Sequence, residues 1–185
     1  MHRFFTRSGD DGKTGLIGEG RVSKTHPRIE ILGTLDEASA ALGFARATCE
    51  DPEINELVLE IQRDLYNIMS EIAASPENRK QFQKMDEGRI TWLESQIEHY
   101  SMVVENPKEF ILPGSTITGA VFSLARTIIR RAERRLAAWQ EDGSNNNPLL
   151  IRYTNRLSSL CFVLELFETQ STGKSTPLAK GKTSL

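Results

Sequence analysis

Two groups of residues in this chain carry the side-chain types that hold phosphate. The first is Thr6-Arg7-Ser8-Gly9-Asp10-Asp11-Gly12-Lys13-Thr14-Gly15, which mixes glycines, hydroxyls and basic side chains. A loop of this kind presents backbone N–H groups to phosphate oxygens, with Lys and Arg adding charge and Asp10 available to a metal or to the loop itself. It is not a P-loop, because the Gly-x-x-x-x-Gly-Lys-Ser/Thr spacing is absent and no strand is expected before it. On composition alone, a flexible surface loop is an equally good account. The second group is Arg126, Arg130 and Glu133, whose i, i+4, i+7 spacing puts them on one stripe of a helix, with Val121, Leu124, Ile128 and Ala132 on the opposite side. A solvated face with intrahelical ion pairs is the ordinary explanation of such a stripe. Density argues for more: Arg126, Arg130, Arg131, Arg134 and Arg135 fall within ten residues, and the few acids nearby do not neutralise them. Arginine suits bidentate phosphate contacts, so an anionic ligand or an acidic partner surface is expected.

Other candidates are sparser. Asp36 and Glu37 stand beside small and apolar residues, and Asn155 and Arg156 interrupt a leucine-rich pattern. Singly, such residues are more often caps or satisfied polar groups than sites. A paired-carboxylate di-iron centre needs Glu-x-x-His motifs on two helices; none is present, and His2, His26 and His99 lack such partners. A serine hydrolase lacks its Gly-x-Ser-x-Gly elbow. Cys49 and Cys161, far apart and outside any Cys-x-x-Cys pair, read as buried thiols, so no metal site is expected.

The elements that must position these residues are helical. Ile31, Leu35, Ala38, Leu42 and Ala45 predict a first helix over about 28–48, and Ile54, Leu57, Ile61, Leu65, Ile68 and Ile72 a second after Asp51-Pro52. A third spans about 86–103 with Ile90, Leu93, Ile97 and Tyr100 inward. Ser115 or Thr116 caps a fourth over about 116–141, and Asp142 to Asn147 forms a turn. Pro148 opens a fifth carrying Leu150, Tyr153, Leu157, Leu160, Leu164 and Phe167. Residues 7–27 read as a long ordered loop, and no period-two strand stands out. Five helices with short connections predict an all-α antiparallel bundle over residues 1–170, followed by a disordered tail over 171–185, poor in core-forming residues.

The chain has 185 residues, 38% apolar and 26% charged, the size and composition of one domain with a real core. A net charge of -2 speaks against bulk electrostatic binding to nucleic acid. No window approaches the roughly 18 apolar residues of a membrane span, and Met1 to Thr6 holds no apolar stretch of signal-peptide length. A cytoplasmic protein without membrane association is expected.

Taken together, Thr6 to Thr14, Arg21-Val22-Ser23-Lys24, Gly33-Thr34-Leu35-Asp36-Glu37, Phe110-Ile111-Leu112-Pro113-Gly114, Ala125-Arg126-Thr127, Arg130-Arg131-Ala132-Glu133-Arg134 and Asn155-Arg156-Leu157-Ser158 resemble the propanediol-utilisation type of ATP:cob(I)alamin adenosyltransferase. The likeness spans about 4–169. It implies a five-helix bundle assembling as a homotrimer, with active sites between subunits. It implies a reaction in which the cobalt of cob(I)alamin attacks the 5′ carbon of ATP, releasing triphosphate and giving adenosylcobalamin, with magnesium present. By similarity, Thr6, Arg7, Ser8, Gly9, Asp10, Thr14, Gly15 and Lys24 wrap the triphosphate, and Arg130, Arg131, Glu133, Arg134 and Asn155 complete the nucleotide site. Asp36 and Arg126 resemble the family's intersubunit ion pair. Phe110 then sits at the corrinoid face and keeps the lower axial side of cobalt dry. A corrinoid reductase and an adenosylcobalamin-dependent enzyme follow as further partners. Two positions depart from the pattern: Ser115 where a second glycine is common, and Ser159 where Asp is frequent. Two other readings remain beside this one: an ATP-binding homologue that hands corrinoid on without efficient bond making, and a structural bundle docking an acidic partner through its arginines.

Overall fold

Each run of apolar residues at helical spacing becomes a helix in the structure, a computed structural model that describes residues 4–143, 145 and 147–180. Five long helices, α1 Pro27–Thr48, α2 Pro52–Ala73, α4 Glu87–Ser101, α5 Ile117–Glu141 and α6 Leu149–Ser171, are joined by a single-turn helix, α3 Arg79–Phe82, between α2 and α4. Their starts are chemically set. Asp51 Oδ1 accepts the N–H of Glu53 at 2.8 Å, Asp86 Oδ1 that of Arg89 at 2.8 Å, and Thr116 Oγ1 that of Gly119 at 3.0 Å, each satisfying an N–H that has no intrahelical acceptor. Proline begins α1 and α2, where a missing N–H costs nothing. His2, Ser144, Asn146 and residues 181–185 lie outside the described residues, including part of the expected turn and tail.

The inward seam of α2 is the one the spacing predicts, with Ile54, Leu57, Ile61, Leu65, Ile68 and Ile72 all buried. It meets α1, which packs on α5, which packs on α6, which packs on α4. Ion pairs give the sense of each crossing. Glu30 to Arg135 and Glu37 to Arg131 make α1 and α5 antiparallel, whereas Glu87 to Arg152 and Glu94 to Arg156 make α4 and α6 run in the same direction. Two chain reversals, one on each side of α5, give that parallel pair. A buried knot closes the bundle where α2, α4 and α6 meet: Tyr153 Oη donates to Asp64 Oδ2 at 2.6 Å, Arg89 Nε donates to the same oxygen at 3.1 Å, and Trp92 stacks under the Arg89 guanidinium at 3.9 Å.

Three local arrangements depart from the sequence reading. The segment expected to be a loop over 7–27 contains a two-stranded antiparallel hairpin, β1 Lys13–Leu16 and β2 Glu19–Ser23, with Thr14 opposite Val22 and Gly15 opposite Arg21. Its glycines and exposed polar residues hide the strand alternation, since Leu16 is the one strongly buried residue of β1. The hairpin is seated on α2 through its backbone: Ile17 N–H donates to Ala73 O at 2.8 Å and Ser75 N–H to Ile17 O at 2.7 Å. The tail expected to be disordered from 171 is ordered in part: α6 runs through Ser171, and beyond it Leu112 N–H donates to Pro177 O at 2.8 Å and Ala179 N–H to Phe110 O at 2.7 Å. Backbone pairing of this kind leaves no compositional trace. Leu124, grouped with Val121, Ile128 and Ala132 on the side opposite the arginines, is 52% exposed, because the buried stripe of α5 runs through Val121, Ala125, Ile129, Ala132 and Leu136.

Arg28 ties hairpin and bundle together. It is buried, with Nε donating to Ile72 O at 2.8 Å and Nη2 to Ala74 O at 2.6 Å, on either side of the carbonyl that receives Ile17. Charged hydrogen bonds of this type contribute about 1.5–3 kcal/mol each, offset in part by burial of the charge. Arg28→Met is expected to lower the unfolding free energy by about 2 kcal/mol, seen as a reduced urea midpoint with an unchanged denaturant slope.

Candidate active site

The Gly-rich segment is a pre-formed cradle. Lys24 Nζ donates to Gly9 O at 2.8 Å and Lys24 N–H to Gly12 O at 2.9 Å, so the lysine is drawn over the loop. Arg21 bridges the carboxylate of Asp11 at 2.6 and 2.9 Å and donates to Lys13 O at 3.1 Å; it also bonds Ser8 O. Arg21 beside it holds the exposed Asp11 carboxyl below its usual range. Thr6 and Ser8 share a hydroxyl hydrogen bond of 2.7 Å. Arg7 has φ +62 and Gly12 φ +77, left-handed values that turn the backbone twice within the loop. The N–H groups of Ser8, Asp10, Gly12 and Lys13 donate to Thr6 Oγ1, Arg7 O, Gly9 O and Asp11 Oδ1, so the loop is braced from within.

The arginines of α5 divide into two sets. Arg131 pairs with Glu37, and Arg135 pairs with Glu30 at 2.9 Å and donates to Thr34 Oγ1. These acids come from α1, far away in sequence, so the expectation that the cluster stays unneutralised fails for these two. Arg130 is exposed, and among the described residues its guanidinium has no hydrogen-bond or ion-pair partner, while its carbonyl accepts from Arg134 Nη1 at 3.1 Å. Glu133 accepts from Asn155 Nδ2 at 2.9 Å, and Asn155 Oδ1 accepts from Arg156 Nη1 at 3.0 Å. The fold thus brings Arg130, Glu133, Arg134 and Asn155 onto neighbouring faces of α5 and α6. Among the described residues, no hydrogen bond or ion pair joins these four to the Gly-rich loop. Asp36 is exposed on α1 and makes no pair with Arg126 within the chain.

Two cavities flank the arginines. One of about 500 Å³ lies between α5 and α6, with Arg126, Arg130, Ser158, Ser159 and Phe162 in its wall. A second of about 340 Å³ shares Asn106, Arg126 and Phe162 with it and opens beside Phe110, Ile111 and Pro113. Phe110 is 77% exposed at this mouth, held there by the backbone bond from Ala179. An exposed phenyl ring beside an apolar hollow is a surface prepared for an apolar ligand face.

The sequence reading missed Glu165. It sits in the smaller cavity's wall at 2% exposure, and its signal was an acid inside the apolar run Val163-Leu164-Glu165-Leu166-Phe167. Burial pushes its carboxyl above the ordinary 4.5, while the Ser123 hydroxyl and the Arg126 charge pull the other way. Folded protein therefore binds this proton more tightly than unfolded protein, and the contribution to stability falls as pH rises above about 4.5. Glu165→Gln is expected to flatten the decline in urea midpoint as pH rises above about 4.5. The thiols are poor nucleophile candidates, since burial pushes Cys49 and Cys161 up to about 12.

Comparison with known proteins shows the family to which the chain belongs. A family model described as cobalamin adenosyltransferase matches residues 4–168. The chain belongs to the cobalamin adenosyltransferase family. Among its relatives, the corrinoid adenosyltransferase PduO of Salmonella typhimurium is 39% identical over 161 residues, covering 86% of this chain and 48% of that protein. The PduO of Citrobacter freundii is 36% identical over 177 residues, covering 95% of this chain and 52% of that protein. The chain therefore spans about half the length of these two. The corrinoid adenosyltransferase of Bacillus subtilis is 37% identical over 164 residues, covering 86% of this chain and 83% of that one. The adenosyltransferase fold is matched as well. A phenylalanine-to-histidine variant of the PduO-type ATP:corrinoid adenosyltransferase from Lactobacillus reuteri, complexed with cobalamin and ATP, superposes with a TM-score of 0.88 at 28% identity, covering 96% of this chain and 97% of that one. No helix among the described residues is long and apolar enough to cross a membrane.

Proposed function

We propose that this chain transfers the 5′-deoxyadenosyl group of ATP to the cobalt of cob(I)alamin, giving adenosylcobalamin and inorganic triphosphate. The observation that carries the proposal is Arg130, an exposed guanidinium without a protein partner, set at the rim of an apolar cavity whose neighbour is fronted by Phe110. Cation and apolar face stand side by side, as a reaction between a triphosphate ester and a flat macrocycle requires. The relatives are corrinoid adenosyltransferases, and the related Lactobacillus reuteri structure holds cobalamin and ATP.

In this reading the chemistry needs no general base. Cobalt supplies the electron pair, the bond from the 5′ carbon to the phosphate oxygen breaks, and triphosphate leaves with its charge. Arg130 and Arg134, the polar side chains of the loop from Thr6 to Gly15, and Lys24 stabilise that growing charge. Glu133 and Asn155, bonded to each other, face the nucleoside. Magnesium bound with ATP would offset the triphosphate charge, and Asp10 is the loop carboxylate that would be at hand to hold it. No hydrogen bond or ion pair among the described residues joins the loop to Arg130 or Arg134, and in this reading the nucleotide site is completed between copies, with Asp36 of one chain paired to Arg126 of the next in a homotrimer. A corrinoid reductase supplies the electrons, and the protein works in the cytoplasm.

The test is anaerobic spectroscopy of the purified protein with chemically reduced cob(I)alamin, ATP and magnesium. Loss of the cob(I) band with one triphosphate per adenosylcobalamin is the expected result. ATP binding without triphosphate release would replace the proposal with a corrinoid carrier.

A further inference from the structure

The crossover between α4 and α5, residues 102–116, carries Phe110 with little burial to hold it. Ile111 is its one buried apolar residue, while Phe110 and Leu112 on either side are 77% and 47% exposed. A segment so poor in buried contacts takes little of its position from packing. Hydrogen bonds from α6 and the residues after it supply that position. The Gln170 side chain, in the last turn of α6, meets the backbone of Glu105 twice: its Oε1 accepts the Glu105 N–H at 3.0 Å, and its Nε2 donates to Glu105 O at 3.2 Å. One planar amide thus satisfies both backbone polar groups of one residue, as a neighbouring strand would.

Gly173, at φ +70, then turns the chain back: its N–H donates to Gln170 O at 2.9 Å, and that of Lys174 to Thr169 O at 3.2 Å. The returning segment holds the crossover further along, at Phe110 O and Leu112 N–H through Ala179 and Pro177, and at Ser115, whose hydroxyl donates to Ser175 O at 3.1 Å. The crossover is therefore held on both sides of the ring. The bonds at Phe110 and Leu112 run backbone to backbone, whereas one substitution at Gln170 removes both of its bonds.

We infer that Gln170 is a positioning residue for Phe110: by clamping Glu105 it fixes the start of the crossover, so the ring stands at the mouth of the smaller cavity before a corrinoid arrives. The inference rests on the adenosyltransferase reading above and adds to it a residue that lines neither cavity beside the arginines.

The experiment runs two adenosylation assays, one with corrinoid already reduced to cob(I)alamin and one with cob(II)alamin and a reductant. The proteins are the parent, Gln170→Leu, Phe110→Ala and the double variant. Leucine keeps the bulk of the side chain and loses both bonds. Gln170→Leu is expected to lower turnover from cob(II)alamin by about tenfold, and to leave turnover from cob(I)alamin within about threefold of the parent with KM for ATP unchanged. Hydrogen exchange gives a second readout: peptides covering 105–112 should exchange about tenfold faster in Gln170→Leu, with those of α2 unchanged. In the Phe110→Ala background Gln170→Leu should lose less than about a further twofold, because the ring it positions is gone. Equal losses in both assays overturn the inference, as does a further tenfold loss in the double variant or unchanged exchange over 105–112. A parent protein that turns over both forms beside an indifferent Gln170→Leu overturns the positioning role alone. A parent protein that makes no adenosylcobalamin from cob(I)alamin overturns the adenosyltransferase reading with it.

Discussion

Arg130→Ala is expected to reduce ATP-dependent adenosylation by about 10²–10³-fold while leaving the helical far-ultraviolet spectrum and melting temperature in place. The magnitude follows from removing one pre-positioned charge that meets the leaving group as its own charge develops. The stability part follows from geometry. The Arg130 side chain is exposed and holds no partner among the described residues, so truncation opens no cavity and strands no buried group. The loss should fall in kcat as well as kcat/KM, because the leaving group is more negative in the transition state than in bound ATP. Arg130→Lys restores charge without the planar fork and should recover part of the activity. Turnover of Arg130→Ala at the parent rate would remove this residue from the mechanism and, with it, the observation on which the functional proposal leans.

Phe110→Ala should separate two steps. With corrinoid already reduced to cob(I), turnover should stay within about threefold of the parent. With cob(II)alamin and a reductant, it should fall by about 10–100-fold. A phenyl ring fully withdrawn from water contributes about 1.5–3 kcal/mol, and each 1.4 kcal/mol is a decade in rate. In the proposed reaction that energy would be set against the lower axial ligand of cobalt, whose removal eases the one-electron reduction. The ring is 77% exposed in the free chain, so a bound corrinoid would supply its burial. Equal losses in both assays would make Phe110 a general binding residue instead. A loss in neither would take it out of the site.

The sequence made the helices legible because each carries an apolar stripe long enough to be unambiguous; the six residues of the α2 seam are buried as their spacing requires. It did not disclose the hairpin, where one deeply buried residue, Leu16, is too little for a period. Nor did it disclose the seating of residues 177–179 along Phe110 and Leu112, which is made by backbone groups that every residue has. At the site, residue types were readable and partners were not. Arg131 and Arg135 looked as free as Arg130 in the linear chain, yet α1 brings Glu37 and Glu30 against them. Intrahelical spacing reports neighbours on the same helix and is silent about the facing one. Glu165 was overlooked for the converse reason: a single acid in an apolar run reads as a helix surface position until packing encloses it.

The separation of the Gly-rich loop from Arg130 within one chain has a genetic consequence. If a working nucleotide pocket draws its lysine from one copy and its arginine from another, then a chain with Lys24→Ala and a chain with Arg130→Ala are each inert alone but not together. Mixed assemblies contain some junctions at which an intact loop faces an intact arginine, and at those junctions the pocket is whole. Two recessive alleles of this gene would then complement each other in one cell, whereas two alleles that strike the same half would not.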